Sequence, residues 1–291
     1  FTSDAIENTY FMGLRYSVVD MTGNNGFGAV DLTQKNITLG SFKSEMVAAV
    51  RHDNGRDFWL LTHEAFNNRF NAFLVSPAGV NPVPVVTTIG PAMMLPTGAF
   101  KVSPNREKVA ISMNESNQRS LALLDFDAST GIFSHLEMVP VSNSNQTQVY
   151  GVEWSADNSK LYFTTLTELY QLDMTQPTLS GIIASSIKLY ATTNPTLLGM
   201  QRAENGKIYL ACNQVDRLHI IEQPELAGLA CDFVFQGYDL QGAFSYWGLP
   251  NFYVDREKEL DFVKVSGVTE LCESVTGTLV ATRSRPNEQI S

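Results

Sequence analysis

Glu153-Trp154-Ser155-Ala156-Asp157-Asn158-Ser159-Lys160-Leu161-Tyr162-Phe163-Thr164 reads as a short strand, a polar turn and an apolar strand. Three other stretches share the form: Val50 to Leu61, Lys101 to Ser112 and Met200 to Ala211. Asp57, Lys108, Lys160 and Lys207 align just ahead of the second strand, so the unit recurs about every 50 residues. The turns carry Asn-Gly or Pro-Asn pairs, and Asn and Gly tolerate the positive φ that tight hairpins require.

A third strand follows each hairpin: Ala72 to Val75, Leu121 to Phe126, Leu169 to Asp173 and Leu218 to Glu222. Tyr16-Ser17-Val18-Val19-Asp20 reads as the same strand of an earlier unit. A fourth, more variable strand comes after a polar turn, as in Pro84 to Ile89 and Ile132 to Met138. Units of four antiparallel strands predict an all-β chain built as a β-propeller. A two-sheet sandwich would not need a regular period with the same hairpin in each unit. The expectation is seven blades in the intact ring, about five of them present here. Helix signals are confined to Lys43 to Ala49, with His63 to Asn68 as a loop turn. After Phe252 the pattern changes to the charged run Asp255-Arg256-Glu257-Lys258-Glu259. The predicted domains are therefore 1–254, an N-terminally truncated propeller, and 255–291, a linker and the beginning of a second β module of Ig or PKD type. The start at Phe1 reads as the inside of a longer protein, with the first blades before it.

Several segments, taken in order, resemble one family. They are Tyr16 to Met21 with Asn25-Gly26-Phe27-Gly28, Lys35-Asn36 with Leu39, and Ala49-Val50-Arg51-His52 with Asn54-Gly55 and Phe58-Trp59. Gly98 to Pro104, Phe126-Asp127 with Thr130-Gly131, and Tyr150 to Ser155 with Lys160-Leu161-Tyr162 continue the series. Gln201 with Gly206-Lys207-Ile208-Tyr209, and Trp247-Gly248-Leu249-Pro250-Asn251-Phe252, complete it. Over residues 10–252 the chain is similar to the propeller region of type IX-secreted, gliding-motility-associated surface proteins that carry a type B sorting domain. The resemblance implies a secreted or cell-surface location. It also implies contact with the type IX secretion machinery through a C-terminal domain not in this chain.

Composition narrows the function. The formal charge is -10 and charged residues make up 17%. An acidic chain is ill suited to a phosphate backbone or an anionic lipid surface, so neither nucleic acid nor membrane insertion is expected. No apolar run reaches the ~18 residues of a membrane-spanning helix. Cys212, Cys231 and Cys272 lack metal-ligand spacing; a Cys212–Cys231 disulfide and free thiols are both open.

Catalytic motifs are weak. His63-Glu64-Ala65-Phe66-Asn67 begins like a zincin helix, but Asn67 stands where the second His is needed. Asp20 to Gly26 and Asp125 to Gly131 look faintly like calcium loops, and blade turns explain both more simply. His52, His63, His135 and His219 sit in no Ser/His/Asp context. Trp59, Trp154 and Trp247 fall in the repeats that read as inner strands, where aromatics pack between blades or stack on sugars. Asn36, Asn114 and Asn145 open glycosylation sequons without consequence in a bacterial host.

No catalytic, metal or cofactor residue is assigned and no cofactor is expected. The reading is a non-enzymatic module that binds an extracellular glycan or protein ligand in adhesion or gliding. The alternatives are an enzyme using the central channel (lyase, lactonase or glycan hydrolase) and a structural spacer.

Overall fold

Strands apolar on both faces can be covered only by a sheet on each side. Lys160–Thr165 is buried at every position, and Lys108–Asn114 at every position but the first. The computed structural model describes residues 1–114, 119–141, 148–194, 196–251 and 253, and the backbone of 263–267 and 279–283.

The first sheet has three strands, β1 (Thr2–Ser3), β2 (Leu14–Tyr16) and β5 (Ile37–Gly40). Between its last two strands, β3 (Val19–Asp20) and β4 (Ala29–Val30) form a separate hairpin. The second runs β6 (Lys43–Arg51), β7 (Phe58–Glu64), β8 (Arg69–Ser76) and β10 (Val85–Thr88), with the short β9 (Gly79–Val80) also on β8. The third is β11 (Phe100–Val102), β12 (Lys108–Asn114), β13 (Arg119–Asp127) and β14 (Ile132–Pro140). β15 (Val149–Trp154), β16 (Lys160–Thr165), β17 (Glu168–Asp173) and β18 (Ile187–Ala191) make the fourth. β19 (Leu197–Arg202), β20 (Ile208–Cys212), β21 (Arg217–Ile221) and β22 (Phe233–Asp239) make the fifth. All pairings in these sheets are antiparallel, sequence neighbours pairing except for β2 with β5 and β8 with β10, and β6, β11, β15 and β19 adjoin in turn. The fold is a β-propeller, and the inner hairpins of its second to fifth sheets lie where the sequence period places them.

Four apolar seams separate the five sheets. Leu14 and Leu39 meet Leu60 and Phe73 in the first. Met46, Trp59 and Phe70 meet Phe100, Ile111 and Phe133 in the second. Leu121 and Val139 pack with Trp154, Leu161 and Phe163 in the third. Tyr162 and Leu169 pack with Met200, Leu210, Ile221 and Cys231 in the fourth. Polar edges of large side chains tie the seams. The Trp59 indole donates to Ala128 O at 2.9 Å and that of Trp154 to Lys101 O at 3.3 Å. The Tyr162 hydroxyl donates to Pro224 O at 2.9 Å.

Within blades, the aligned lysines pair with an acid at the end of the third strand. Lys108 reaches Asp125 at 2.7 Å, Lys160 reaches Asp173 at 3.2 Å, and Lys207 pairs with Glu222. Ser103 and Ser155 buckle their hairpins, each accepting from the N–H of the aligned lysine, at 2.9 and 2.8 Å.

Several expectations need correction. Lys43 to Ala49 is strand, not helix; Met46, Ala48 and Val50 are buried with the alternation of period two. His63 and Glu64 end β7 rather than opening a loop. Tyr16 to Asp20 is not one strand but the end of β2 and the start of β3. Trp59 lies on the second strand of its blade, and Trp247 lies in no strand. An unforeseen helix, α1 (Leu179–Ala184), is capped by Thr178, whose hydroxyl accepts from Gly181 N.

Val254–Ser291 separates as its own unit, within which β23 (Val263–Gly267) pairs with β24 (Leu279–Arg283). The rest of the predicted 255–291 module lies outside the described residues, as do Cys272 and the sequon at Asn145. Among the described residues no helix is long and apolar enough to cross a membrane.

Two outcomes follow from the packing. A Cβ on Gly151 would stand 2.3 Å from Leu198 O of the next inner strand. Gly151→Ala should therefore cost about 1–3 kcal/mol in urea denaturation, with m unchanged. His63 is fully buried against the Phe70 ring, with neither nitrogen bonded, and burial lowers its pKa to about 4. Its folded pKa is below the unfolded value, so its stabilising effect is present above pH ~6.5 and is lost as pH falls towards ~4. His63→Leu should remove on the order of 2 kcal/mol from the stability difference between pH 7 and pH 5. An unchanged pH slope would show that His63 does not titrate as described.

Candidate functional site: an acidic and aromatic mouth

Beyond β22 the chain turns back along the inner strands. Ser245 N donates to Val215 O at 2.8 Å and its hydroxyl to Cys212 O at 2.6 Å. Gly199 N then donates to Trp247 O at 3.1 Å. Farther on, Asn251 Nδ2 donates to Val47 O, and the Tyr253 ring meets the Phe58 ring edge-on at 5.5 Å.

Backbone packing explains this path. In or just before three inner strands, β11, β15 and β19, a glycine faces a carbonyl of the next segment. Built Cβ atoms would lie 3.1 Å from Tyr150 O at Gly98, 2.3 Å from Leu198 O at Gly151 and 3.3 Å from Trp247 O at Gly199. Trp247-Gly248 thus stands against β19 as Leu198-Gly199 stands against β15. The signal is visible in hindsight: Tyr150-Gly151, Leu198-Gly199 and Trp247-Gly248 follow the period of about 50 residues. Reading the hairpins alone missed it.

This return brings Trp247 to the entry ends of the inner strands. Its ring packs 5.5 Å from that of Tyr150 while half its surface stays exposed, at 50%. Tyr246 and Phe244 beside it are exposed as well. Two carboxylates act on Tyr150 through their charge: Glu7, in the single turn Ile6–Asn8, and Glu45, on β6. Burial raises the Glu45 pKa, the Glu7 charge raises it further, and the backbone at Ile6 and Gly98 pulls it partly back. Burial, then Glu45, then Glu7 push the Tyr150 phenol up to about 12, so it stays a neutral donor. Tyr10 is raised by the same three causes. Carboxylates that accept hydroxyl hydrogens beside exposed aromatic faces make a surface that can hold a polyhydroxylated ring.

Below the mouth the polar groups are committed to one another. Lys101 Nζ lies 2.7 Å from Gln201 Oε1, 3.1 Å from Glu153 Oε2 and 3.3 Å from Asn251 Oδ1. Glu153 also accepts from Trp154 N and Arg202 N, both at 3.0 Å. The network joins inner strands of the third, fourth and fifth sheets to the returning segment.

The motifs weighed from sequence have structural partners. Glu64 pairs with Lys43 at 2.6 Å and accepts from Asn67 Nδ2 at 2.8 Å. Asp20 is closed on Thr22, and Asn25 in that hairpin turn is left-handed. Asp125 takes Lys108 and His135, and Asp127 takes Ser129 and Thr130. His52 stacks on Trp59, and His219 accepts from Gln236 N and stacks on Phe235. Cys212 and Cys231 are buried free thiols, and burial raises both. Among the described residues no group of three His, Cys, Asp or Glu is placed to hold a metal ion. Of the three tryptophans, Trp59 and Trp154 are buried and Trp247 is available for stacking.

The sequence matches no family model and no curated protein. Among solved structures, a Lactobacillus plantarum protein is 14% identical with a TM-score of 0.53, over 79% of this chain and 65% of its own. Virginiamycin B lyase from Staphylococcus aureus is 11% identical with a TM-score of 0.43, over 66% and 54%. The PQQ domain of a pyranose dehydrogenase from Coprinopsis cinerea is 14% identical with a TM-score of 0.43, over 60% and 44%. The likeness is one of fold. This chain spans less than two thirds of the length of each of these proteins.

Removing Glu153 leaves Lys101 buried without its counter-charge. Glu153→Ala should cost about 3 kcal/mol, and Lys101→Met/Glu153→Leu should cost much less than the two single changes combined. A double-mutant cycle in urea measures the coupling; strict additivity would mean that the pair is not joined.

Proposed function

We propose that this propeller is a non-enzymatic recognition module of a secreted or surface-displayed protein, and that it binds glycan at the acidic, aromatic mouth. The observation that carries the reading is the half-exposed Trp247 ring packed on Tyr150 beside Glu45. An aromatic face offers stacking area, and the carboxylates take hydroxyl hydrogens. The axial network supports binding over catalysis, because Lys101, Glu153, Gln201 and Asn251 satisfy one another rather than converging on a free space. Export by the type IX route, and a role in attachment or gliding, rest on the residue patterns shared with gliding-motility-associated surface proteins. Protein ligands are the other partner class that a rigid ring with surface loops serves.

A glycan array probed with the full chain, followed by calorimetry on the best ligand, tests the reading. Saturable binding is expected, with affinity falling about tenfold or more in Trp247→Ala, the loss of a stacking contact worth ~1.5 kcal/mol. Absence of glycan binding, or a Trp247→Ala variant with full affinity, would sink it.

A further inference from the structure

Three Asn-Gly pairs stand at hairpin turns: Asn25-Gly26, Asn54-Gly55 and Asn205-Gly206. All three asparagines are exposed. Each glycine N–H donates back across its turn, to Gly23 O at 3.1 Å, His52 O at 3.0 Å and Ala203 O at 3.0 Å. A Cβ built on any of the three glycines meets nothing within 4 Å, so each turn has open space around it. Backbone bonding and exposure are therefore matched, and the side-chain amides are what differ.

Asn54 Oδ1 accepts from Arg56 N at 3.0 Å and from Asp57 N at 2.9 Å, and its Nδ2 donates to Asp57 Oδ2 at 2.8 Å. Asn205 Oδ1 accepts from Lys207 N at 3.2 Å, and its Nδ2 donates to the Tyr209 hydroxyl at 3.0 Å. The Asn25 amide has no hydrogen-bond partner among the described residues. Its turn is also the least held. Asn54 joins β6 to β7 and Asn205 joins β19 to β20, inside multi-stranded sheets. Asn25 joins β3 to β4, which pair only with each other and are exposed throughout. Asn24 and Asn25 both hold left-handed backbone, at φ 50° and 57°, which is unfavourable for a residue with a Cβ. A short, exposed and strained turn opens locally more readily than one inside a packed sheet.

We propose that Asn25 is a site of spontaneous backbone modification by deamidation. In the opened turn the Gly26 nitrogen attacks Asn25 Cγ. A C–N bond forms, the Cγ–Nδ2 bond breaks, and Nδ2 leaves as ammonia, taking up the Gly26 N–H proton through water. The cyclic imide that results then adds one water. Opening at Cγ gives aspartate. Opening at the backbone carbonyl gives isoaspartate, with a methylene added to the main chain. Either product puts a new carboxylate on the hairpin that already carries Asp20.

The test ages the full folded chain in mildly alkaline buffer made with heavy-oxygen water and follows each Asn-Gly peptide by mass spectrometry. Asn25 should react fastest, about tenfold ahead of Asn54 and Asn205, whose amides must first break their hydrogen bonds. Fragmentation of the labelled peptide should show isoaspartate at position 25. In concentrated urea, where the turns are lost, the three pairs should react at similar rates. The proposal is overturned if Asn25 is not the fastest of the three in the folded chain. It is equally overturned if the same lead persists in urea, since sequence rather than fold would then set the order.

Discussion

A carbonyl oxygen of the following strand lies where a side chain on Gly151 would stand, and the same contact is made at Gly98 and Gly199. This approach of one inner backbone to the next sets the distance between blades. At that distance the large side chains of each seam interdigitate, and the indoles of Trp59 and Trp154 reach carbonyls of the adjoining sheet. Thr164 repeats the principle in side-chain form, accepting from Gly151 N and donating to Leu198 O. A propeller sheet is buried on both faces, so its stability lies in these seams more than in any one sheet.

The mouth is a consequence of the same contact. Trp247-Gly248 belongs to no sheet, yet it is held against Gly199 by the bond that the geometry of the inner strands leaves available. Holding it there brings an exposed indole to Tyr150 and leaves Asn251 within reach of Lys101 and Val47. The polar network beneath is therefore saturated by the chain itself, and the groups left to face solvent are aromatic rings and carboxylates at the rim.

Arg202 and His63 show the two ways a titratable group meets burial in such a seam. His63 is held as the neutral ring, so two unbonded nitrogens cost only their lost hydrogen bonds with water. Arg202 keeps its Nε and Nη1 away from water with no hydrogen-bond partner. Glu153 stands close enough to bond its backbone yet is committed to Lys101, so the sequence places an acid nearby without supplying the counter-ion.

The hairpin repeat by itself determined the fold, because a period of about 50 residues with the same hairpin in each unit has few other solutions. It determined the order of strands within a unit, the alignment of the lysines and the blade turns, all of which depend on residues close in sequence; the acid that each lysine meets came from the structure. Local signals misled in one place: Lys43 to Ala49 read as a helix, yet in β6 Ser44, Met46, Ala48 and Val50 are buried with period two. Of the candidate site residues, the sequence singled out Trp247 as a ring that packs or stacks, and it did not single out Glu7, Glu45 or Tyr150. Glu7, Glu45, Tyr150 and Trp247 come from four separate segments, and the ring alone brings them together. The tertiary structure also decided which tryptophan is exposed and which arginine is unpaired, since both depend on what the neighbouring blade places opposite, and no local pattern encodes that.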